Sequence, residues 1–541
     1  MAQPPAASHA PGSENVITDA RRRNLVLVAV CVGLVAVVAS VSGLNVAQAA
    51  LAQDLGASQK DLLWIINGYT IALAALLMPI GAIGDRWGRK KVLTSGLVLF
   101  IIANLAGAFA GGVTPLLVSR VVAGVAAALI MPATLSIITA SFPADARDRA
   151  IGVWAGFAGA GGILGLVGSA IIVDNFSWPW VFSIPVVLAA ISLALTIPYV
   201  PHSREHTGAA FDVVGSILSA VAIGALVLAI HEGPESGWTA SITLAALAVT
   251  VIGVVAFVAW ELRFTNPLMD LRLFKDRLLT AGTVNLLVMF AIMIGLFLVT
   301  VQFLQAVLGY SALVSSVALL PMAAMMMPLS TVSPRLASRF GMRAMFVSGT
   351  LILAVGLALL AGLASQSGGY LSILPGLIVM GIGVGIAMTP GTAAITMSLP
   401  IEKQGVASAL NDTVRELGGA IGVALIGSVL SAAYSSNVAG ATAGLPPQAA
   451  DAIEGGIGTA TLVTNQMGDA GASVLASAQH AFVDAFSTSL WLCAGLAVAV
   501  GVFAAVWTPK RAGIRATEAD VIETGDPDRE LEGLVPAPAD A

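Results

Sequence analysis

Residues 81–91 read Gly81-Ala82-Ile83-Gly84-Asp85-Arg86-Trp87-Gly88-Arg89-Lys90-Lys91. Four cations, one acid and three glycines stand here between two long apolar runs, 62–82 and 91–110. Glycine lets a chain turn tightly without steric cost, and Lys and Arg clustered between apolar runs are retained on one side of a bilayer.

Outward from this turn the pattern repeats. Apolar runs fall at 25–46, 62–82, 91–110, 114–136, 150–171, 180–198, 212–230, 239–259, 280–301, 313–330, 344–364, 371–396, 406–431 and 484–507. Most reach the roughly 18–20 residues a helix needs to cross the hydrocarbon at about 1.5 Å each. Of 25 Lys and Arg, these runs leave Lys60 on one side, Arg120 and Arg415 within the bilayer, and the other 22 on the opposite side. The expected fold is therefore all-α and integral to a membrane, with about fourteen crossings and both termini on the basic, cytoplasmic side.

Composition excludes a soluble domain: 57% of residues are hydrophobic, 10% are charged, and 57 are glycine. The formal charge of −5 is carried partly by acids after Glu518 and gives no nucleic-acid reading. Cys31 and Cys493 lie inside apolar runs, which points to packing rather than a disulfide. The five histidines and two cysteines form no nucleophile-and-base pattern, no acids or histidines have metal-ligand spacing, and no glycine loop ends in the Lys-Ser/Thr of a P-loop. Enzymatic chemistry, a bound metal, a cofactor and ATP as energy source are not expected.

The chain also repeats on a larger scale. Leu336-Ala337-Ser338-Arg339-Phe340-Gly341-Met342-Arg343 is a weaker copy of the 81–91 string, 253 positions on, and the same shift carries Gly165 onto Gly418. The expected organisation is a disordered cytoplasmic start at 1–23, a six-helix half at 24–200, a linker with two extra helices at 201–275, and a second six-helix half at 276–507. Within the last, 432–483 has no Lys or Arg and reads as a long, flexible extracellular loop; 508–541 reads as a cytoplasmic acidic tail. Parallel six-helix repeats with a site between them are a transporter architecture.

With these residues in view, the 81–91 string resembles the signature loop of the major facilitator superfamily, and the fourteen runs make the chain similar to that superfamily's drug/proton antiporters. The resemblance runs from about Asn24 to Trp507, supported by Leu116 to Arg120 with Gly124, Glu232-Gly233-Pro234 with Gly237-Trp238, and Gly405 to Asn411 running into Arg415 and Gly418-Gly419. It implies that Gly81, Asp85, Arg86, Gly88, Arg89 and Lys90 form a conformational gate. It also gives Arg120 a part in proton movement, and makes Gly152, Gly161 and Gly165 the helix-packing motif associated with antiport. The chain departs from the pattern at Leu166, where the family has proline, at Ser169-Ala170, at Pro179, and at Ser40, where many relatives carry an acid.

The residues themselves narrow the chemistry. An unpaired Arg inside a span costs about 2.5–3.5 kcal/mol on insertion scales, so Arg120 needs a partner or a wet cavity. Asp412 and Glu416, four apart, share one helical face, and Arg415 lies within reach of both. They are the candidate proton and charge relay; the alternative is a neutralised structural cluster. Trp64, Tyr69, Met289, Met293, Phe297, Met326, Gln302 and Gln305 are candidates to line a substrate cavity, against ordinary helix packing as the alternative. The resemblance implies a monomeric secondary exporter in a bacterial plasma membrane. It would move lipophilic, hydrophobic or cationic drugs outward by alternating access, coupled to inward proton movement. The alternative is a same-fold exporter of one metabolite, antibiotic or lipid, with altered or absent proton coupling.

Overall fold

Gly88 closes the helix before the 81–91 turn and opens the next one, with φ +107°, a left-handed value that favours glycine. Gly341, 253 positions later, does the same between two later helices with φ +84°. The computed structural model describes residues 16–202, 211–443 and 445–509, and its regular elements are all helical. The expectations for residues 1–15, Arg204 and the acidic tail beyond Pro509 lie outside the described residues.

The first half comprises α1 (Ala20–Leu55), α2 (Gln59–Trp87), α3 (Arg89–Ala108), α4 (Val113–Ser141), α5 (Ala144–Asn175) and α6 (Ser183–Tyr199). Two further helices follow, α7 (Val213–Ser236) and α8 (Ser241–Glu261). The second half comprises α9 (Arg277–Gln302), the broken span α10 (Ala312–Ala318) and α11 (Leu320–Phe340), α12 (Met342–Leu363), α13 (Leu374–Ser398), α14 (Gln404–Thr442) and α17 (Asp469–Trp507). Between its last two helices lie α15 (Pro447–Glu454) and α16 (Ile457–Gln466). Fourteen spans are long and apolar enough to cross a membrane, matching the fourteen runs of the sequence.

The repeat is visible in the packing. In the first half α1 lies on α5 and α6, while α2 and α3 lie on α4. In the second half α9 lies on α14 and α17, while α11 and α12 lie on α13. The halves meet where α2 packs on α14 and α5 packs on α11. Side chains are stripped to hydrogen at both crossings. A Cβ on Gly81 would stand 2.5 Å from both Ala409 Cβ and the Gly405 carbonyl oxygen, and one on Gly152 would stand 2.6 Å from the Ser330 carbonyl oxygen. Small residues at such crossings let helix backbones approach closely within a bilayer.

The extra pair sits outside this two-fold arrangement, with α7 along α2 and α14 and α8 packed chiefly on α7. The stretch 432–483, expected to be a flexible loop, is helical along most of its length: α14 runs on to Thr442, α15 and α16 follow, and α17 starts at Asp469. Tyr434 donates to the Ile453 carbonyl at 3.0 Å, and Thr442 donates to the Glu454 carboxylate at 2.5 Å. An alanine-rich stretch without Lys or Arg reads as loop by its polarity. Its alanines favour helix between the glycine and proline breaks, and these two tethers hold the segments in place.

Candidate functional site

At the end bearing the basic loops, one carboxylate joins the two halves. Asp85 in the last turn of α2 accepts the Gly405 backbone N–H at 2.8 Å and the Val406 N–H at 3.2 Å, the first free donors of α14. Arg89 donates to the same carboxylate at 2.7 Å, and both side chains are buried. Helix N-termini present unpaired N–H groups and a positive dipole end, so the carboxylate is stabilised there in addition to its pairing with Arg89. Hydrogen bonds to a charged group contribute about 1.5–3 kcal/mol each. Glycine at 405 is what allows the carboxylate to sit so near, since a Cβ there would fall 2.7 Å from Asp85 Cγ. Lys90, expected in the gate, instead donates to the Ile197 carbonyl at 2.7 Å, tying α3 to the end of α6 within its own half. Arg86 is exposed at the end of α2, and Gly81 and Gly88 provide the close crossing and the turn.

A second cluster lies on α14, about two turns further along. Arg415 Nη1 donates to Asp412 at 3.0 Å, and Asn411 donates to the same oxygen at 3.2 Å. The guanidinium stands 5.2 Å from the centre of the Trp154 ring on α5 and 4.7 Å from that of Phe290 on α9. Its Nη2 reaches the Ala158 carbonyl of α5 at 3.5 Å, so the cation of one half is held partly by the other. The second oxygen of Asp412 is buried without a hydrogen-bond partner among the described residues. Glu416 is half-buried and lies within electrostatic reach of Tyr69 on α2.

The third cluster surrounds Arg120. This side chain is 1% exposed, yet its hydrogen-bond partners are uncharged: Nη1 donates to Ser40 Oγ at 2.9 Å and Nη2 to the Ser40 carbonyl at 3.2 Å. The Tyr69 ring lies beneath it at 4.5 Å, and Ser40 passes its own hydrogen bond to Asn104 at 3.1 Å. The sequence departure at Ser40 thus falls directly against the buried cation.

The glycines of α5 divide their work. Gly152 packs on α11 across the halves, whereas a Cβ added at Gly161 would stand 3.6 Å from Val38 of α1 and one at Gly165 only 2.7 Å from the Ala39 backbone of α1. Among the candidate cavity residues, Tyr69, Met289, Met293 and Met326 are buried, Trp64 and Phe297 are half-buried, and Gln305 is exposed. Gln302 lines a cavity of about 160 Å3 with Tyr434, Ile457 and Phe482 under the α15–α16 segment. The eight candidates lie on α2, α9, α11 and the short turn of helix after α9.

Sequence reasoning missed three participants. Trp154, which stacks on Arg415 and donates to Thr134 at 3.0 Å, carries no local signal because its partners are on other helices. Asp212 and Glu261, both buried, clamp the segment that leads into α9: Asp212 accepts the Leu268 N–H at 3.3 Å, and Glu261 accepts the Met269 N–H at 3.1 Å. An acid just before an apolar run is a cap signal, and it predicts the Gly215 N–H bond that Asp212 also accepts.

Two helical repeats meeting at glycine crossings, with a buried carboxylate bonded between them and fourteen apolar spans, define a multi-pass membrane transporter. The model of the Major Facilitator Superfamily matches residues 28–423, and the chain belongs to that family, whose members are transporters rather than enzymes. It is 32% identical to the Multidrug resistance protein Stp of Mycobacterium tuberculosis over 77% of this chain and 78% of the relative. It is 35% identical to the Tetracenomycin C resistance and export protein of Streptomyces glaucescens over 75% of each. Among solved structures, a bacterial homologue of the human lysosomal transporter Spinster shares the fold with a TM-score of 0.56 at 16% identity, covering 90% of this chain and 98% of that one.

Proposed function

We propose that the protein exports hydrophobic or cationic drugs across a bacterial plasma membrane by alternating access, driven by inward proton movement. The observation that carries this reading is the Asp85 carboxylate seated on N–H groups in the first turn of α14, because a charged bond that joins the halves at the end bearing the basic loops is what a two-state gate requires. In this reading the basic loops face the cytoplasm and the Asp85 bond closes the path toward the cell interior. The names of the relatives, multidrug resistance and drug export, supply the substrate class. Asp412 and Glu416 are the carboxyls for the proton: both sit on the helix that the latch grips, Asp412 has an oxygen unpartnered among the described residues, and Arg415 senses both halves.

The test is proton flux into proteoliposomes holding an internal pH dye, after adding ethidium under an imposed pH gradient. Substrate-dependent flux that is lost in Asp412→Asn or Glu416→Gln supports the proposal; flux unchanged in both removes these carboxyls from the relay. The Arg120–Ser40 geometry favours a second reading, export of a single metabolite, antibiotic or lipid with weak or absent proton coupling, since among the described residues that cation hydrogen-bonds to Ser40 rather than to an acid. Under it, no drug of a broad panel drives proton flux.

A further inference from the structure

A groove of about 490 Å3 runs between α7 and α8 at the end bearing the basic loops, lined by Leu218, Ala256, Ala259, Trp260, Arg263 and Phe264. We propose that it seats an anionic phospholipid, with an acyl chain along the groove and the phosphate on Arg263 and Arg272.

Three observations converge on that occupant. First, the outer surface of α8 is apolar and open: Val251 is 62%, Ile252 69% and Val255 63% exposed, so the helix is solvated by lipid and the groove opens into the hydrocarbon. Secondly, the floor of the groove is firm. Trp260 stacks on Phe264 with ring centres 5.3 Å apart, and its indole N–H donates to Asp212 at 2.9 Å. Tryptophan so placed marks the level of the headgroups. Thirdly, the mouth is cationic. Arg263 is exposed and enters no ion pair among the described residues. Arg272, also exposed, donates to the Leu262 carbonyl at 3.3 Å, which holds a second guanidinium beside the first. Of the nearby carboxylates, Asp212 and Glu261 are buried behind the groove, and Asp270 is half-buried and accepts the Arg272 backbone N–H at 3.0 Å. A headgroup phosphate therefore meets two exposed guanidinium groups, while the half-buried Asp270 is turned to the backbone N–H of Arg272, so a net negative lipid is favoured over a zwitterionic one.

The seat is joined to the latch by a short chain of bonds. Asp212, which holds Trp260, also accepts the Leu268 N–H at 3.3 Å, and the adjacent Pro267 carbonyl accepts Lys403 at 3.2 Å, one residue before α14.

The experiment is native mass spectrometry of the full chain after delipidation, titrated with phosphatidylglycerol, phosphatidylcholine and inorganic phosphate. Phosphatidylglycerol is expected to bind at least tenfold tighter than phosphatidylcholine. Arg263→Ala with Arg272→Ala should weaken it about 30-fold, which corresponds to ~1 kcal/mol per cation near an anionic surface. Arg263→Lys with Arg272→Lys should retain binding, and Ala256→Trp, which fills the groove and leaves both cations, should abolish it. Equal affinity for the two lipids, an unchanged double alanine variant, or displacement of the lipid by millimolar inorganic phosphate would each overturn the proposal, the last by showing an anion site that needs no chain.

Discussion

Arg120 shows how much one position can change. Its charge is buried among a serine hydroxyl, a backbone carbonyl and an aromatic face, so it depends on neutral partners that a shorter side chain cannot supply. Ser40→Ala removes the hydroxyl, leaves Nη1 unsatisfied, and should cost about 1.5–3 kcal/mol, read as a lower midpoint of unfolding in detergent. Ser40→Asp, which places a carboxylate at the same distance, should be at least as stable as the parent. The Asp412–Arg415 pair is the opposite case, a cation with its counter-ion. Asp412→Asn breaks a buried pair on one side and should destabilise by about 3–5 kcal/mol. An unfolding midpoint equal to the parent's would show that Trp154 and Phe290 hold Arg415 on their own.

At the scale of helices, the crossing of α2 and α14 is the sensitive place. Gly81 has no room for a side chain, because the atoms facing it belong to backbone and to Ala409 rather than to a flexible tip. Gly81→Val should therefore hold the two helices apart and shift the protein toward the state open at the basic end. Asp85→Asn should act in the same direction more weakly, since an amide still accepts one hydrogen bond but loses its attraction to Arg89 and to the helix dipole. Reactivity of a cysteine placed at Ala409 toward a maleimide is the measurement: low in the parent, raised in Asp85→Asn, highest in Gly81→Val.

Across the whole molecule the prediction concerns distance. Trp87 at the end of α2 and Phe340 at the end of α11 are exposed and stand at equivalent places of the two repeats. Spin labels on cysteines at these two positions, with Cys31 and Cys493 replaced by alanine, should give one short distance population in the parent. Asp85→Asn should add a longer one. A single unchanged distance would mean that the latch does not govern the separation of the halves. The broken symmetry is informative too: the copy of the latch has Ser338 where the first half has Asp85, and its hydroxyl turns back to the Arg335 carbonyl at 2.8 Å. The α5–α11 contact is thus held by packing at Gly152 and Gly156, and the charge lies on the α2–α14 side.

The sequence by itself determined the fourteen spans, their grouping into two repeats and an extra pair, and the Asp85 turn, because apolar length, basic loops and glycine spacing are local properties that a bilayer reads directly. It also marked Ser40 and Arg120 as departures, 80 residues apart, without showing that they touch. Only the tertiary structure decided that Asp85 meets the start of α14, that Arg120 rests on Ser40, that Trp154 shields Arg415, and that 432–483 is helical. The physical reason is common to all of these: a charge in a low-dielectric bundle takes whichever partner the packing brings near, and packing partners here lie tens to hundreds of residues apart.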